Sequence, residues 1–171
     1  MARSFKTQLA GQIGESLVVA ELGRRGIVAT ALAGDVPDID ILAYREGYSL
    51  ALQVKSVRTG SVSFDARRFM HIEFDGDRQI ITGQNLTLDD RLIFVFVGIG
   101  AAAHADRFFI LEQHDLRHII HDNHASWLAK HGGVRPKNPH SPHTAVSLAQ
   151  LEVFENNWAL IDMRLGGEVS I

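Results

Sequence analysis

The chain of 171 residues contains no cysteine, so neither a disulfide framework nor a thiolate zinc site can form, and we expect an intracellular, cytoplasmic protein. Its first residues, MARSFKTQLAGQ, include no apolar signal region. The longest apolar run, residues 92–103, is shorter than the roughly 20 apolar residues that span a bilayer. These absences predict a soluble protein with no membrane partner.

The sequence also lacks an excess of basic residues. Its 17 lysines and arginines stand against 20 aspartates and glutamates, which gives a formal net charge of -3. This balance argues against a protein that coats nucleic acid nonspecifically, although a local basic patch can still bind phosphate. Hydrophobic residues make up 46% of the chain and charged residues 22%, which suits a single globular domain over residues 1–171.

Hydrophobic periodicity predicts a first helix over about residues 7–25, closed by Gly26. Glu15 stands at the head of an apolar row on this helix, so it is a charged group on a buried face. Gly11 and Gly14 flank Glu15 and lower the helix propensity, which predicts that another element approaches closely there. The alternative is that Glu15 reaches solvent near the helix start, where the helix dipole favours a carboxylate.

Residues 34–57 predict a β-hairpin that carries charged side chains where two short strands should be apolar. Alternation over residues 48–57 places Gln53 and Lys55 on the same face of the second strand. Glu46-Gly47 is a plausible two-residue turn between the strands. The hairpin therefore combines a structural role with a candidate site.

The turn fixes the register of this hairpin. Pairing the residues on either side of the turn and counting back sets Asp40 opposite Gln53, with Cβ atoms about 4.5–5.5 Å apart. A carboxylate, an amide oxygen and the ammonium group of Lys55 then converge on one place. The same count sets Asp38 opposite Lys55, so an exposed structural ion pair between these two residues is an alternative.

The order of a helix glutamate, Pro-Asp-x-Asp at a strand start and Gln-x-Lys on the next strand resembles the PD-(D/E)XK nuclease superfamily. This is the restriction-endonuclease-like fold that includes Holliday-junction resolvases. The resemblance rests on Gly14-Glu15, residues 37–42 and Gln53-Val54-Lys55, and it covers roughly the first third of the chain. It implies an α/β domain that begins with a helix and three strands and has a mixed central β-sheet flanked by helices.

The resemblance also implies hydrolysis of DNA phosphodiester bonds with a divalent metal. Asp40 would supply a hard anionic oxygen to Mg²⁺ or to Mn²⁺ as its substitute, with Gln53, the Val54 carbonyl and Glu15 as further ligands. Lys55 would orient or deprotonate the attacking water and offset negative charge in the transition state. Gln53 departs from the commoner glutamate or aspartate and brings no charge. Either Glu15 compensates for this loss or the metal binds weakly.

Two functions remain open on the sequence alone. The first is a metal-dependent DNA endonuclease, for which a homodimer would be natural because two sites can cut two strands. The second is a catalytically inactive nuclease-fold protein that binds nucleic acid or a protein partner. Gln53 and the acidic net charge favour this second hypothesis.

Further candidate contacts with DNA lie outside the hairpin. Arg58 belongs to a polar turn just past the predicted Gln-x-Lys strand. Arg135 and Lys137 belong to residues 131–143, which hold three of the four prolines and are expected to form a loop. These cations suit docking on phosphates. The alternatives are a solvated turn and a rigid surface connection.

Histidines at i, i+4 and i+7 suggest a second metal hypothesis. His114, His118 and His121 fall on a predicted helix at about residues 115–130, and this spacing can chelate zinc. No acid-rich or cysteine pattern completes a coordination shell, so a solvated polar face is the competing interpretation.

The remaining elements are predicted from apolar patterns. Strands are expected at residues 27–33, 69–74, 78–82, 92–97 and 107–111. Residues 92–97 are apolar throughout, as in a strand that is covered on both faces. Ser147 is expected to begin a short helix through Asn157, and residues 158–163 to form a terminal strand or packing tail, with Trp158 in the core.

Overall fold

The computed structural model of the protein describes residues 5–33 and 36–167. Gly34 and Asp35, where the predicted hairpin stretch begins, lie outside the described residues. The described helices are α1 (Phe5–Arg24), α2 (Gln113–Lys130) and α3 (Trp158–Arg164). The described strands are β1 (Val28–Ala31), β2 (Ile41–Arg45), β3 (Tyr48–Val57), β4 (Ser61–Asp65), β5 (Met70–Asp75), β6 (Arg78–Gln84), β7 (Ile93–Gly98), β8 (Arg107–Glu112) and β9 (His143–Ser147).

A five-stranded mixed sheet forms the centre of the fold, with the strand order β1-β2-β3-β7-β8. β3 pairs antiparallel with β2 and parallel with β7. The prediction of an α/β domain with a mixed central sheet flanked by helices is thus confirmed. Two smaller sheets, β4–β9 and β5–β6, each contain two antiparallel strands.

The two faces of the central sheet bury separate apolar clusters, because successive side chains of a strand point to opposite faces. On one face, Val18 of α1 and Trp158 of α3 pack against the sheet. On the other face, Phe94 of β7 packs with Leu116 of α2 and with Val146 of β9. Every residue of β7 is buried, as its unbroken apolar sequence predicts. Trp158 is a core residue, as predicted.

Eight of the predicted elements are confirmed to within two residues at each end: α1, α2, β1, β3, β5, β6, β7 and β8. α1 ends as expected. Gly26 adopts a left-handed φ of 71°, and the Ile27 N–H donates to the Leu22 carbonyl at 3.0 Å. No helix among the described residues is long and apolar enough to cross a membrane.

The later part of the chain departs from the predictions. Residues 158–163 form most of helix α3, so the prediction of a terminal strand is wrong. A run of six residues is too short for periodicity to separate helix from strand. The helix after Ser147 is a 3₁₀ helix that ends at Phe154 rather than at Asn157. The pairing of β4 with β9 was not predicted, because it joins segments far apart in the sequence.

A chain of buried polar groups ties α2 to β6 and to the loop at residues 131–142. His124 of α2 is fully buried, and its Nε2 lies 3.0 Å from Gln79 Oε1. Its Nδ1 lies 3.3 Å from Nη2 of Arg135, which can only donate, so Nδ1 accepts and Nε2–H donates to Gln79. The amide of Gln79 in turn donates to the Ser141 carbonyl at 3.0 Å.

Burial lowers the pKa of His124 to about 4, and the positive charges of Arg135 and His121 contribute further. The ring is therefore neutral in the folded protein, whereas in the unfolded chain its pKa has the ordinary value of 6.5. As the pH falls below 6.5, the unfolded chain therefore takes up a proton at His124 before the folded protein does, which favours unfolding. The stability that the neutral ring contributes is present above pH 6.5 and is lost as the pH falls toward about 4.

We predict that the free energy of unfolding falls by about 3 kcal/mol over this pH range because of His124 alone. Urea titrations between pH 7 and pH 4 measure this slope. His124→Gln should remove that part of the pH dependence, whereas His118→Gln, at an exposed position of the same helix, should retain it. Equal slopes in the wild type and His124→Gln would contradict the prediction.

Candidate active site

The β2–β3 hairpin has the predicted turn and register. Arg45 lies opposite Tyr48, and the two turn residues, Glu46 and Gly47, have φ values of 50° and 92°. Positive φ at both central residues is what a tight turn between twisted antiparallel strands requires. β2 begins at Ile41, whereas β3 continues well beyond the residue paired with it.

Over residues 53–57, this difference in length leaves one edge of β3 without a partner among the described strands, while β7 pairs along the other edge. The Asp40 carboxylate lies at this edge, where a neighbouring strand would otherwise pair with β3. Its Oδ2 accepts a hydrogen bond of 2.7 Å from the Val54 N–H. The N–H and C=O groups of one strand residue point to the same edge. The Val54 carbonyl therefore faces this edge as well.

Asp38 and Asp40 precede β2 rather than lying within it, which corrects the predicted strand and the pairing of these residues with Lys55 and Gln53. Asp38 has a left-handed φ of 66°, which turns the chain out of an extended path. Its carboxylate forms an ion pair with Arg68. Asp40 alone of the two hydrogen-bonds to the backbone of β3.

Gln53 and Lys55 lie two residues apart on β3 and so share a face of the sheet, as predicted. Gln53 is only 5% exposed, and its Oε1 has no hydrogen-bond partner among the described residues. Leaving a buried amide oxygen unpaired costs about 1–3 kcal/mol. Such an oxygen is also a hard donor of the kind that divalent cations bind.

Helix α1 brings Glu15 to this edge of β3. A Cβ atom added to Gly14 would lie 1.7 Å from the Ser56 Oγ, so the helix and the strand are in direct contact there. Burial raises the pKa of Glu15, and the negative charge of Asp40 raises it further, while the positive charge of Lys55 acts in the opposite direction. The three charged groups therefore interact within one site.

The donor set at this edge fits a hard divalent cation. Glu15 and Asp40 offer carboxylates, Gln53 offers an unpaired amide oxygen, and Val54 offers a backbone carbonyl. A cation would offset the repulsion between the two carboxylates and give the Gln53 oxygen a partner. Because the described residues supply two carboxylates here rather than three, the uncharged oxygens of Gln53 and Val54 matter more than they would in a site with three acids.

The histidines of α2 do not come together as a zinc site. Across residues 5–33 and 36–167, no three side chains of histidine, aspartate or glutamate form a group that could hold a metal ion. The rings turn toward their own helix instead. His118 Nδ1 lies 3.1 Å from the His114 carbonyl, and His121 Nδ1 lies 3.2 Å from Asp122.

The three cations predicted to contact DNA lie in different settings. Arg58 is exposed in the turn directly after β3, and Lys137 is exposed in the loop between α2 and β9. Arg135 is partly buried, with its guanidinium carbon 4.5 Å from the centroid of the Trp127 ring. The contacts of Arg135 with Trp127 and His124 were not predicted, because they depend on how the loop packs against α2.

No known protein-family profile matches the chain, and no curated protein matches it. Among solved structures, the fold is similar to that of the bacterial homing endonuclease I-Ssp6803I, with a TM-score of 0.51. The two chains are 16% identical, and the similarity covers 92% of this chain and 94% of that chain. At this level of identity the similarity shows the fold alone. The protein therefore has a mixed α/β fold similar to the fold of that endonuclease.

We predict that Gly14→Ala lowers the free energy of unfolding by about 1–3 kcal/mol, because the added Cβ would collide with Ser56. Gly23→Ala is the matched control on the same helix. Nothing lies within 4 Å of its added Cβ, so the gain in helix propensity should raise stability by up to about 1 kcal/mol. Gly11 also meets no tight contact, contrary to the prediction of a close approach there.

Urea titration measures both variants. Equal stabilities for Gly14→Ala and Gly23→Ala would contradict the close contact between α1 and β3 that positions Glu15.

Proposed function

We propose that the protein is a metal-dependent DNA endonuclease of the PD-(D/E)XK type, with its active site at the β3 edge beyond the end of β2. The observation that carries this proposal is the hydrogen bond from the Val54 N–H to the Asp40 carboxylate. Val54 lies between Gln53 and Lys55 in β3, and the charge of Asp40 acts on Glu15 of α1. The similarity in fold to a homing endonuclease supports the same class of activity.

The proposed ligands of Mg²⁺, or of Mn²⁺ as its substitute, are Asp40, Glu15, the Gln53 Oε1 and the Val54 carbonyl. A divalent cation held there would lower the pKa of a bound water and neutralise negative charge that grows on the scissile phosphate. The Val54 N–H fixes the Asp40 carboxylate in place before any ligand arrives. Glu15 would compensate for the charge that Gln53 does not supply.

Lys55 is the proposed positioning group for the attacking water. It lies on the same face of β3 as Gln53, it is partly exposed, and its charge acts on Glu15. Its ammonium group would orient the water toward phosphorus and offset negative charge in the transition state.

A second candidate function is a nuclease-fold protein that binds nucleic acid or a protein partner without cutting. The observation that favours it is Gln53, whose amide brings no negative charge to the metal site. A twofold homodimer, which sedimentation velocity would detect, would favour the nuclease, since two active sites suit two DNA strands.

We predict that the wild type binds Mn²⁺ and that Asp40→Ala abolishes this binding in a calorimetric titration. Asp38→Ala is the matched control, because the Asp38 carboxylate pairs with Arg68 and does not reach the β3 backbone. Gln53→Glu should tighten binding by about tenfold or more, because it adds a negative charge beside the cation. Loss of binding in Asp38→Ala with retention in Asp40→Ala would show that the ligand assignment is wrong.

We predict that Lys55→Ala binds Mn²⁺ at least as tightly as the wild type, because a positive charge is removed, while cleavage falls by about 100-fold or more. Linear, supercoiled and branched DNA should be tested as substrates over a range of Mg²⁺ and Mn²⁺ concentrations. Equal cleavage by Lys55→Ala and the wild type would refute the role of Lys55. A wild type that cuts none of these substrates would support the binding protein instead.

A further inference from the structure

A groove lies between α2 and the β4–β9 sheet, and none of the proposed active-site residues lines it. Its volume is about 480 Å³, and its walls include Ser63 of β4, Trp127 of α2 and His143 of β9. A second cavity of about 350 Å³ adjoins it, since Trp127 and Arg135 line both. Together they form one surface along the loop at residues 131–142, which we call the α2–β9 groove.

Positive charge dominates the α2–β9 groove. Of the basic residues that carry a full charge, Lys130 and Arg135 line the first cavity, and Lys137 lines the second. No aspartate or glutamate is found among the described residues that line either cavity. In a chain whose acidic residues outnumber its lysines and arginines by 20 to 17, this segregation creates a local positive potential. The groove therefore suits an anionic ligand.

Arg135 is the fixed centre of the groove. Its guanidinium lies over the Trp127 ring at 4.5 Å, and its Nη2 lies 3.3 Å from His124 Nδ1. The His124 ring is in turn hydrogen-bonded to Gln79, so the contact with His124 helps to fix the orientation of the Arg135 guanidinium. A cation–π contact of this kind fixes the guanidinium without neutralising its charge.

The positive charge of Arg135 has no counterion within residues 5–33 and 36–167. No carboxylate among the described residues pairs with it, and its buried Nε has no hydrogen-bond partner there. Burial lowers the pKa of Arg135, which is the sign of a charge held partly out of water. An unpaired and partly desolvated cation is unfavourable, and a bound anion would relieve that cost. A phosphate group matches the planar fork of N–H donors that a guanidinium presents.

The neighbouring polar groups divide into a rigid frame and open donors. Asn123 donates to the Ala145 carbonyl at 2.8 Å and accepts from Gln150 Nε2 at 2.7 Å, which fixes α2 against β9. The hydroxyl groups of Ser63 and Ser126 line the same groove and are suited to bind phosphate oxygens. The frame thus presents cations and hydroxyls around one space.

We propose that the α2–β9 groove binds a phosphate group through Arg135 and Lys130, and that this phosphate belongs to the backbone of bound DNA. This inference rests on the proposed function, which makes DNA the substrate. Trp127 carries Arg135 on its ring and also stacks with His131 at 3.9 Å, so its ring holds side chains rather than a base. The groove therefore recognises charge and positions the duplex, and it does not read base sequence.

The test is fluorescence anisotropy with a labelled DNA duplex in EDTA, so that cleavage does not intervene. Arg135→Ala and Lys130→Ala should each raise the dissociation constant about tenfold and reduce the slope of log K against log salt concentration by about 1. Arg91→Ala is the matched control. It removes the same charge from an exposed arginine that pairs with Asp89, and it should bind DNA like the wild type.

Because Arg135 also supports His124, its loss can disturb the fold, so a second variant addresses the groove alone. Ser126 is exposed on α2 and belongs to the groove lining. Ser126→Asp adds a negative charge there without touching the contact between Arg135 and His124. It should weaken DNA binding as much as Lys130→Ala while the thermal unfolding temperature stays within a few degrees of that of the wild type.

A parallel calorimetric titration with inorganic phosphate and with a deoxynucleoside monophosphate separates the two sources of phosphate. Weaker DNA binding in the three groove variants, but not in Arg91→Ala, supports a contact with the DNA backbone. Unchanged DNA binding together with loss of phosphate binding in Arg135→Ala assigns the groove to a free phosphate compound and overturns the DNA contact. If neither ligand distinguishes the variants from the wild type, the groove is not a phosphate site.

The same experiments keep this inference apart from the proposed function. A wild type that binds DNA through the groove but never cuts it would refute the endonuclease and leave the groove intact. If the wild type cuts DNA and the groove variants cut it with the same KM and kcat, the proposed DNA contact at the groove is refuted and the endonuclease function still holds.

Discussion

The early end of β2 beside the longer β3 is the constraint on which the candidate active site depends. It leaves the Val54 N–H at an edge with no neighbouring strand, and a buried donor without a partner costs about 1–3 kcal/mol. The Asp40 carboxylate provides that partner at 2.7 Å. This edge of β3 therefore needs a hydrogen-bond acceptor, and the hydrogen bond that Asp40 accepts there sets its carboxylate beside Gln53 and Lys55.

The two faces of the central sheet carry the two polar regions of the protein. On one face α1 packs closely enough at Gly14 to contact Ser56, and this contact brings Glu15 to the edge of β3. On the other face α2 is fixed to β9 through Asn123, and it presents Trp127 and Lys130 to the α2–β9 groove. The rigidity of both regions comes from apolar clusters that contain few of their functional side chains.

The sequence predicts what local patterns control. The Glu46-Gly47 turn fixed the hairpin register, and the alternation on β3 placed Gln53 and Lys55 on one face. The left-handed φ of Asp38 was not predictable, because aspartate tolerates that conformation without requiring it. The β4–β9 pairing and the buried position of His124 depend on contacts between distant segments. Periodicity records which side of an element is buried, and it does not identify the neighbour that covers it.

The β3 edge and the α2–β9 groove hold uncompensated charge of opposite sign. At the β3 edge, Glu15 lies near Asp40 and the Gln53 oxygen lacks a partner among the described residues, so a cation would relieve both costs. In the α2–β9 groove, Arg135 is held without a counterion from the described part of the chain, so an anion would relieve the cost. An apolar replacement at either place would lose the hydrogen bond to Val54 or the contact with Trp127. Under the proposed function, DNA bound together with a divalent metal would supply the cation and the anion at once, so one phosphodiester substrate would account for both regions.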